Sequence, residues 1–243
     1  MTSIKKSEVL KCIDYSKENK LIDKLNSVYN TLPSGDCNGC GSCCMESVGI
    51  NLIEFINIFN YLKGNDKLRI ECLNKVLDYY FLEYVKKSPC PFKDDNNRCM
   101  IYEVRPLNCR LFGHWKKEDY NKNLSNVTKR NIDYKNIIKS KYGFDINDEV
   151  VNYKINYCED FIPEKEYLDK ATRLSFADEL MVLDSKIFSK EIIDIDFKDR
   201  GIVEYFIDCL LNENVAYNIK VKVSKDSEAR EVAINRLKKI LVR

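Results

Sequence analysis

Eight consecutive residues, Cys37-Asn38-Gly39-Cys40-Gly41-Ser42-Cys43-Cys44, carry four cysteines and two glycines. Such a run is too polar and too glycine-rich to build a helix or strand around an apolar core. It reads as a loop that wraps its thiols around something. The chain has 11 cysteines in 243 residues, beside only 8 glycines, 5 prolines and one histidine. An odd number of thiols argues against a disulfide framework. So does an N-terminus, Met1-Thr2-Ser3-Ile4-Lys5-Lys6, that lacks the apolar stretch of a secretory signal. The expectation is a cytoplasmic protein whose regularly spaced thiols bind metal or do redox work.

Composition narrows the partners. Lys+Arg 40 against Asp+Glu 38 leaves a net charge of +2, which gives no global attraction for nucleic acid or an anionic membrane surface. No apolar run reaches the ~18 residues that a membrane-spanning helix needs. A chain of this length buries enough apolar surface to fold without covalent staples. The expected partners are a metal ion or cluster and a protein or peptide, with no nucleic acid and no membrane.

The spacing of apolar residues predicts a mainly α fold with a cysteine-rich irregular metal-binding segment and a small α+β C-terminal part. A helix is expected over 4–28, ended by Thr31-Leu32-Pro33-Ser34-Gly35-Asp36. Asn51-Leu52-Ile53-Glu54 has the form of a capping box, and the helix it opens runs to a stop at Gly64. Further helices are predicted over 67–86, 131–142, 164–190 and 227–242. The segment from Ser88-Pro89-Cys90-Pro91 to Phe112 reads as irregular, with a turn at 94–97. Alternation of apolar and polar residues over 192–197 and 215–223 predicts strands. Two units follow: 1–162, holding the metal-binding segment 37–112, and an extension over 163–243.

Eight cysteines, Cys37, Cys40, Cys43, Cys44, Cys90, Cys99, Cys109 and Cys158, lie in irregular sequence. Cys12, Cys72 and Cys209 sit within helical patterns and read as small core residues. Cys37-x2-Cys40-x2-Cys43 lets one short loop supply three corners of a cubane cluster, the opening of the bacterial ferredoxin pattern, and Cys90-Pro91 supplies a remote Cys-Pro. The first-choice ligand set for a 4Fe-4S iron–sulfur cluster is therefore Cys37, Cys40, Cys43 and Cys90. Cys44, Cys99, Cys109 and Cys158 form a reserve or second set. A tetrahedral Zn²⁺ site is the alternative, although no second C-x2-C occurs outside the run. Side chains of adjacent Cys43 and Cys44 are expected to point to opposite sides of an extended loop, so that the two serve different sites; a vicinal dithiol with redox or metal-transfer chemistry is the rival.

A four-thiolate centre carries about two surplus negative charges. Arg98, Arg105 and Arg110 flank Cys99 and Cys109 and are placed to offset them, unless each pairs with a carboxylate such as Glu103. Pro91, Phe92, Tyr102, Phe112 and Trp115 can shield sulfur from water or serve an ordinary core. His114, the single histidine, reads as structural or as a metal ligand. With no second histidine there is no credible Ser-His-Asp or Cys-His arrangement, and there is no P-loop or dinucleotide fingerprint.

Cys37-Asn38-Gly39-Cys40-Gly41-Ser42-Cys43-Cys44, Cys90-Pro91-Phe92 and Cys99-Met100-Ile101-Tyr102-Glu103-Val104-Arg105-Pro106-Leu107-Asn108-Cys109-Arg110 together resemble the YkgJ-type CxxCxxCC family, over roughly Cys37 to Phe112. The resemblance implies zinc or iron chelation. A related CxxCxxCC group, the flagellin lysine-N-methylases, is associated with an iron–sulfur cluster and methyl transfer, but no residues here mark an S-adenosylmethionine pocket. The functional expectation is a metal-binding protein holding an iron–sulfur cluster or zinc. The alternatives are an iron–sulfur enzyme that modifies a protein or peptide side chain, methyltransferase- or oxidoreductase-like, and a metal-trafficking protein. Whether the chain is an enzyme stays open.

Overall fold

The computed structural model describes residues 4–196 and 198–242. Its elements in chain order are α1 (Lys6–Glu18), α2 (Leu21–Thr31), β1 (Gly35–Asp36), β2 (Gly49–Ile50), α3 (Leu52–Lys63), α4 (Asp66–Leu82), α5 (Leu107–Leu111), α6 (Lys117–Tyr142), α7 (Asp148–Val151), β3 (Ile162–Pro163), α8 (Lys170–Phe188), β4 (Arg200–Gly201), α9 (Ile202–Leu210), α10 (Glu213–Lys225) and α11 (Ser227–Leu241). The mainly α expectation holds, and the only sheets among the described residues are the two-stranded antiparallel pairs β1–β3 and β2–β4.

Helix α3 is apolar on nearly every side, and a helix of that kind must be enclosed. Leu52, Ile53, Phe55, Ile56, Ile58 and Leu62 are all buried. α1, α2, α4 and α8 pack around it, and Phe55 stacks on Tyr205 of α9 at 4.7 Å between ring centroids. Helices α9, α10 and α11 pack on α4, so the main apolar core draws on residues from Ile4 to Ile234. By contrast α6 buries only Tyr120 and Ile138.

The capping box at Asn51 and Glu54 is present, and the helix ends at Gly64 as read from sequence. Three expectations need correction. The helix expected over 4–28 is two helices, because Lys20 adopts φ 53 and the Asn19 side chain donates back to the Tyr15 carbonyl, ending α1. The strand predicted over 215–223 is part of α10. There Ala216, Lys220, Val223 and Ser224 form the buried stripe at helical spacing while Val215 faces solvent, and among the described residues no neighbouring strand is there to pair with. Residues 192–196 form no strand either, and Phe197 lies outside the described residues. Alternation alone gives a strand only where an edge waits for it.

The first turn of α3 is completed from a distance. Asp184 of α8 accepts hydrogen bonds from the Leu52 and Ile53 N–H groups, both at 2.8 Å. Burial raises the Asp184 carboxyl to about 6 despite these donors. Burial likewise raises Asp208 to about 6, although Arg200 lies 3.2 Å away. Both start from an ordinary 3.8, so the folded state holds these protons more tightly than the unfolded chain does. The stability linked to them is therefore highest below about pH 4, falls as the pH rises to about 6, and is level above that. In thermal melts across this range, Asp184→Asn is expected to flatten the slope. Asp184→Ala should cost about 1–2 kcal/mol through the lost cap. A slope unchanged in Asp184→Asn contradicts the assignment.

Candidate metal centre

The cysteine loop is pinned at both ends by short antiparallel pairs. Before it, Gly35 and Asp36 pair with Pro163 and Ile162. After it, Gly49 and Ile50 pair with Gly201 and Arg200, and the Ile202 N–H donates to the Val48 carbonyl at 2.9 Å. Between them the backbone reverses at Gly39 (φ 64) and Gly41 (φ 70), a region that costs side-chain-bearing residues energy. The Cys44 N–H closes a turn onto the Gly41 carbonyl at 3.0 Å.

The other thiols reach this loop by separate devices. The Cys90 N–H donates to the Cys44 carbonyl at 2.9 Å, which joins the two segments directly. A narrow hairpin follows: Lys93 bridges Cys99, the Met100 N–H donates to the Phe92 carbonyl at 2.8 Å, and Asp94 caps the turn by accepting from Asn96 and Arg98 N–H. This brings Cys99 back beside Cys90. Cys109 sits on α5, whose first N–H, that of Leu107, donates to Glu54 at 2.6 Å. Cys158 arrives with β3. Phe161 wedges its ring between the backbones of Gly35 and Gly113, where a Cβ on either would lie 2.3 Å from it. Only glycine fits at those two positions.

The thiols fall into two neighbourhoods that meet at Cys43 and Cys44. Cys90 and Cys109 raise or are raised by Cys44 and Cys99, four groups whose charges act on one another. Cys158 feels Cys37 and Cys40, while Cys43 feels Cys109 as well as Cys37 and so belongs to both neighbourhoods. The expected opposed placement of Cys43 and Cys44 is corrected: residues 42–45 form a turn, not an extended strand, and the two thiols hydrogen-bond each other. That contact keeps the proton on Cys43. The same contact, helped by the positive charges of Lys93 and Arg105, brings Cys44 down to about 7. Ser42 holds the Cys40 thiol lower through a hydrogen bond.

Elsewhere crowding dominates. Burial pushes Cys90 up to about 12 and raises Cys99. Cys109 is open to solvent on one side, yet the protein around it and the thiols of Cys90, Cys99 and Cys44 push it well above the ordinary 9.0. Burial first, and repulsion among neighbouring thiolates second, hold Cys90, Cys99, Cys109 and Cys158 in the protonated form until a cation arrives. All 11 cysteines are free thiols. Cys12 and Cys72 are fully buried in α1 and α4, and burial raises each to about 12, as befits core residues. Among the described residues no three His, Cys, Asp or Glu side chains stand in a ready-made coordination shell. The donors are gathered, and side-chain rotation must complete any shell.

Three residues contribute in ways the sequence reading missed. From sequence Glu54 is only a helix cap. It is buried and accepts from Asn51 N–H at 2.9 Å, Tyr29 hydroxyl at 2.7 Å and Leu107 N–H, tying α2 and α3 to the Cys109 helix. Its place in the capping box was visible; its reach to Leu107 had no local signal. Lys93 and Phe161 likewise act across long sequence separations. Of the flagged arginines, Arg98 is exposed. Arg110 stacks on Tyr29 at 4.0 Å and donates to the carbonyls of Arg105 and Glu103, not to the Glu103 carboxylate. Arg105 lies over Tyr102 at 4.1 Å. His114 is buried edge-on to Phe161 at 4.5 Å, its Nδ1 has no partner, and burial together with Arg105 lowers its pKa. Phe92 is buried, Phe112 and Trp115 are half-buried, and Tyr102 is exposed.

The donor chemistry fits a thiophilic cation. Soft sulfur is the only ligand type present in number, and the cations Lys93 and Arg105 face it. These features define a cysteine-rich segment whose donors suit a soft metal ion. Residues 36–127 match the model of the CxxCxxCC family, described as "Putative zinc- or iron-chelating domain". The match runs on into α6 and ends before Cys158. No curated relative and no solved structure shows significant similarity to the chain. No described helix is long and apolar enough to cross a membrane.

Glu54→Ala should leave three buried donors unpaired and lower stability by about 3 kcal/mol or more, with the Cys109 helix the first element to loosen. Urea unfolding and amide exchange at Leu107 through Leu111 check this. Wild-type stability and unchanged exchange there contradict it.

Proposed function

We propose that the chain is a metal-binding protein with two adjoining four-thiolate sites. One is formed by Cys44, Cys90, Cys99 and Cys109, the other by Cys37, Cys40, Cys43 and Cys158. The observation that carries this reading is how the eight thiols act on one another. Cys90, Cys99 and Cys109 interact with each other and with Cys44, and Cys158 interacts with Cys37 and Cys40. Cys43 lies at the junction, hydrogen-bonded to Cys44 and in the field of both Cys109 and Cys37. Each group has the number and type of donors that suit a four-iron cluster or a single Zn²⁺. Bound metal would neutralise the repulsion among the thiolates and add its binding energy to folding of the irregular segment. Iron–sulfur is the first assignment, because successive x2 spacing of Cys37, Cys40 and Cys43 suits a cubane. With such a cluster bound, the chemistry supplied is one-electron transfer or, with an open iron, Lewis-acid activation.

A catalytic use of the site is the second reading, favoured by one feature. A cavity of about 380 Å³ is lined by Glu46, Ser47, Tyr79, Tyr84, Lys87 and Lys220, among others. Glu46 and Ser47 follow Cys44 closely, and Lys87 and Ser88 precede Cys90. A substrate held there would lie beside the centre.

Protein prepared without oxygen is expected to be brown, with labile sulfide near iron stoichiometry. Cys90→Ser and Cys158→Ser should each remove about half of the bound metal, since they belong to different sites, while Cys72→Ala removes none. Colourless protein that takes up zinc but no iron after anaerobic reconstitution contradicts the iron–sulfur assignment. Loss of all metal in either single variant contradicts two separate sites. An iron that exchanges faster than the rest would favour the catalytic reading.

A further inference from the structure

Arg105 differs from the other cations of the cysteine segment in what surrounds it. Its backbone is fixed: the N–H donates to the Tyr102 carbonyl at 3.4 Å, the carbonyl accepts Arg110 Nε at 2.8 Å, and Pro106 follows. Its guanidinium lies over the Tyr102 ring, 4.1 Å from the centroid, an attraction that holds it in place but supplies no acceptor for Nε–H. Nε is shut away from solvent and has no hydrogen-bond partner. Among the described residues Arg69, Arg173 and Arg200 form ion pairs with carboxylates, and Arg105 forms none.

A buried donor on a charged group is costly when nothing accepts from it. The acidic groups nearest in effect are the thiols of Cys44 and Cys99, both of which Arg105 favours as thiolates. It also disfavours charge on its cationic neighbours, Arg110 and His114. Asp94 and Lys93 face the same thiols from the hairpin, with opposite signs.

We infer that Arg105 is a positioning residue of the thiolate centre: its unpartnered Nε–H donates to a metal-bound sulfur of the Cys44, Cys90, Cys99, Cys109 group, and its charge offsets the surplus negative charge there. This rests on the metal-binding reading above. It separates two properties that a merely structural arginine would couple. In the metal-free chain Nε has no acceptor to lose, so removing the guanidinium forfeits only the exposed contact with Tyr102, offset by relief of the unpaired donor, and changes stability little. In the loaded chain the same change removes a hydrogen bond and a compensating charge, a type of loss that typically weakens metal affinity about 10–100-fold.

The test uses the full chain, as wild type, Arg105→Gln and Arg105→Lys. Zn²⁺ affinity is measured by competition with a chromophoric chelator, the thiolate-to-metal band is recorded after Co²⁺ loading, and the metal-free proteins are melted. Arg105→Gln should bind Zn²⁺ about 10–100-fold more weakly, yet melt without metal close to the wild-type temperature. Arg105→Lys restores charge without Nε–H, so its affinity should fall between the two while its Co²⁺ band stays shifted with that of Arg105→Gln. An affinity in Arg105→Gln within about twofold of wild type overturns the inference and leaves metal binding intact. So does a metal-free Arg105→Gln that melts well below wild type, which would mark a structural role. If wild type itself takes up no Zn²⁺ or Co²⁺, the metal-binding reading falls first and the inference with it.

Discussion

Thiols brought this close cannot all ionise on their own. Each thiolate raises the cost of the next, and the partial burial of Cys43, Cys44, Cys90, Cys99 and Cys158 adds a desolvation penalty. A divalent or cluster-bound cation reverses both effects. The rest of the molecule is arranged to impose this crowding in advance. Two two-stranded pairs clamp the loop that carries Cys37 to Cys44, one backbone hydrogen bond joins Cys44 to Cys90, and a buried glutamate places Cys109. None of the four cysteine-bearing segments is held by its own local structure alone.

The helical scaffold supplies the rigidity that the irregular segment lacks. Because α3 is enclosed on nearly all sides, its N-terminus is a fixed point. Asp184 reaches it from α8, and Glu54 of its first turn reaches out to Tyr29 and Leu107. A carboxylate that caps the start of one helix, accepts the first N–H of another and anchors a hydroxyl ties burial in the core to the position of a ligand. Displacement in the core therefore passes to Cys109 through hydrogen bonds and not through a flexible linker.

What the sequence reveals and what it hides divide along one line. The loop at Cys37 to Cys44, the capping box at Asn51, the break at Pro89 and Pro91, and the core character of Cys12 and Cys72 are local signals, and all can be read directly. The misread elements depended on partners. Residues 215–223 alternate like a strand, yet no edge is available to them, and the stripe Ala216, Lys220, Val223 packs as a helix instead. The kink at Lys20 has no strong breaker before it. The grouping of Cys158 with Cys37 and Cys40 depends on the β1–β3 pairing across more than a hundred residues, and the wedge of Phe161 against Gly35 and Gly113 is invisible until both are placed.

The central claim is that sulfur from separate segments converges on inorganic cations. X-ray absorption at the metal edge of the fully loaded chain tests it most directly. The account predicts a first shell made of sulfur alone, with about four sulfur neighbours per metal at a distance near 2.3 Å. A shell dominated by nitrogen and oxygen would mean that these thiols are not the ligands, and the account would fail.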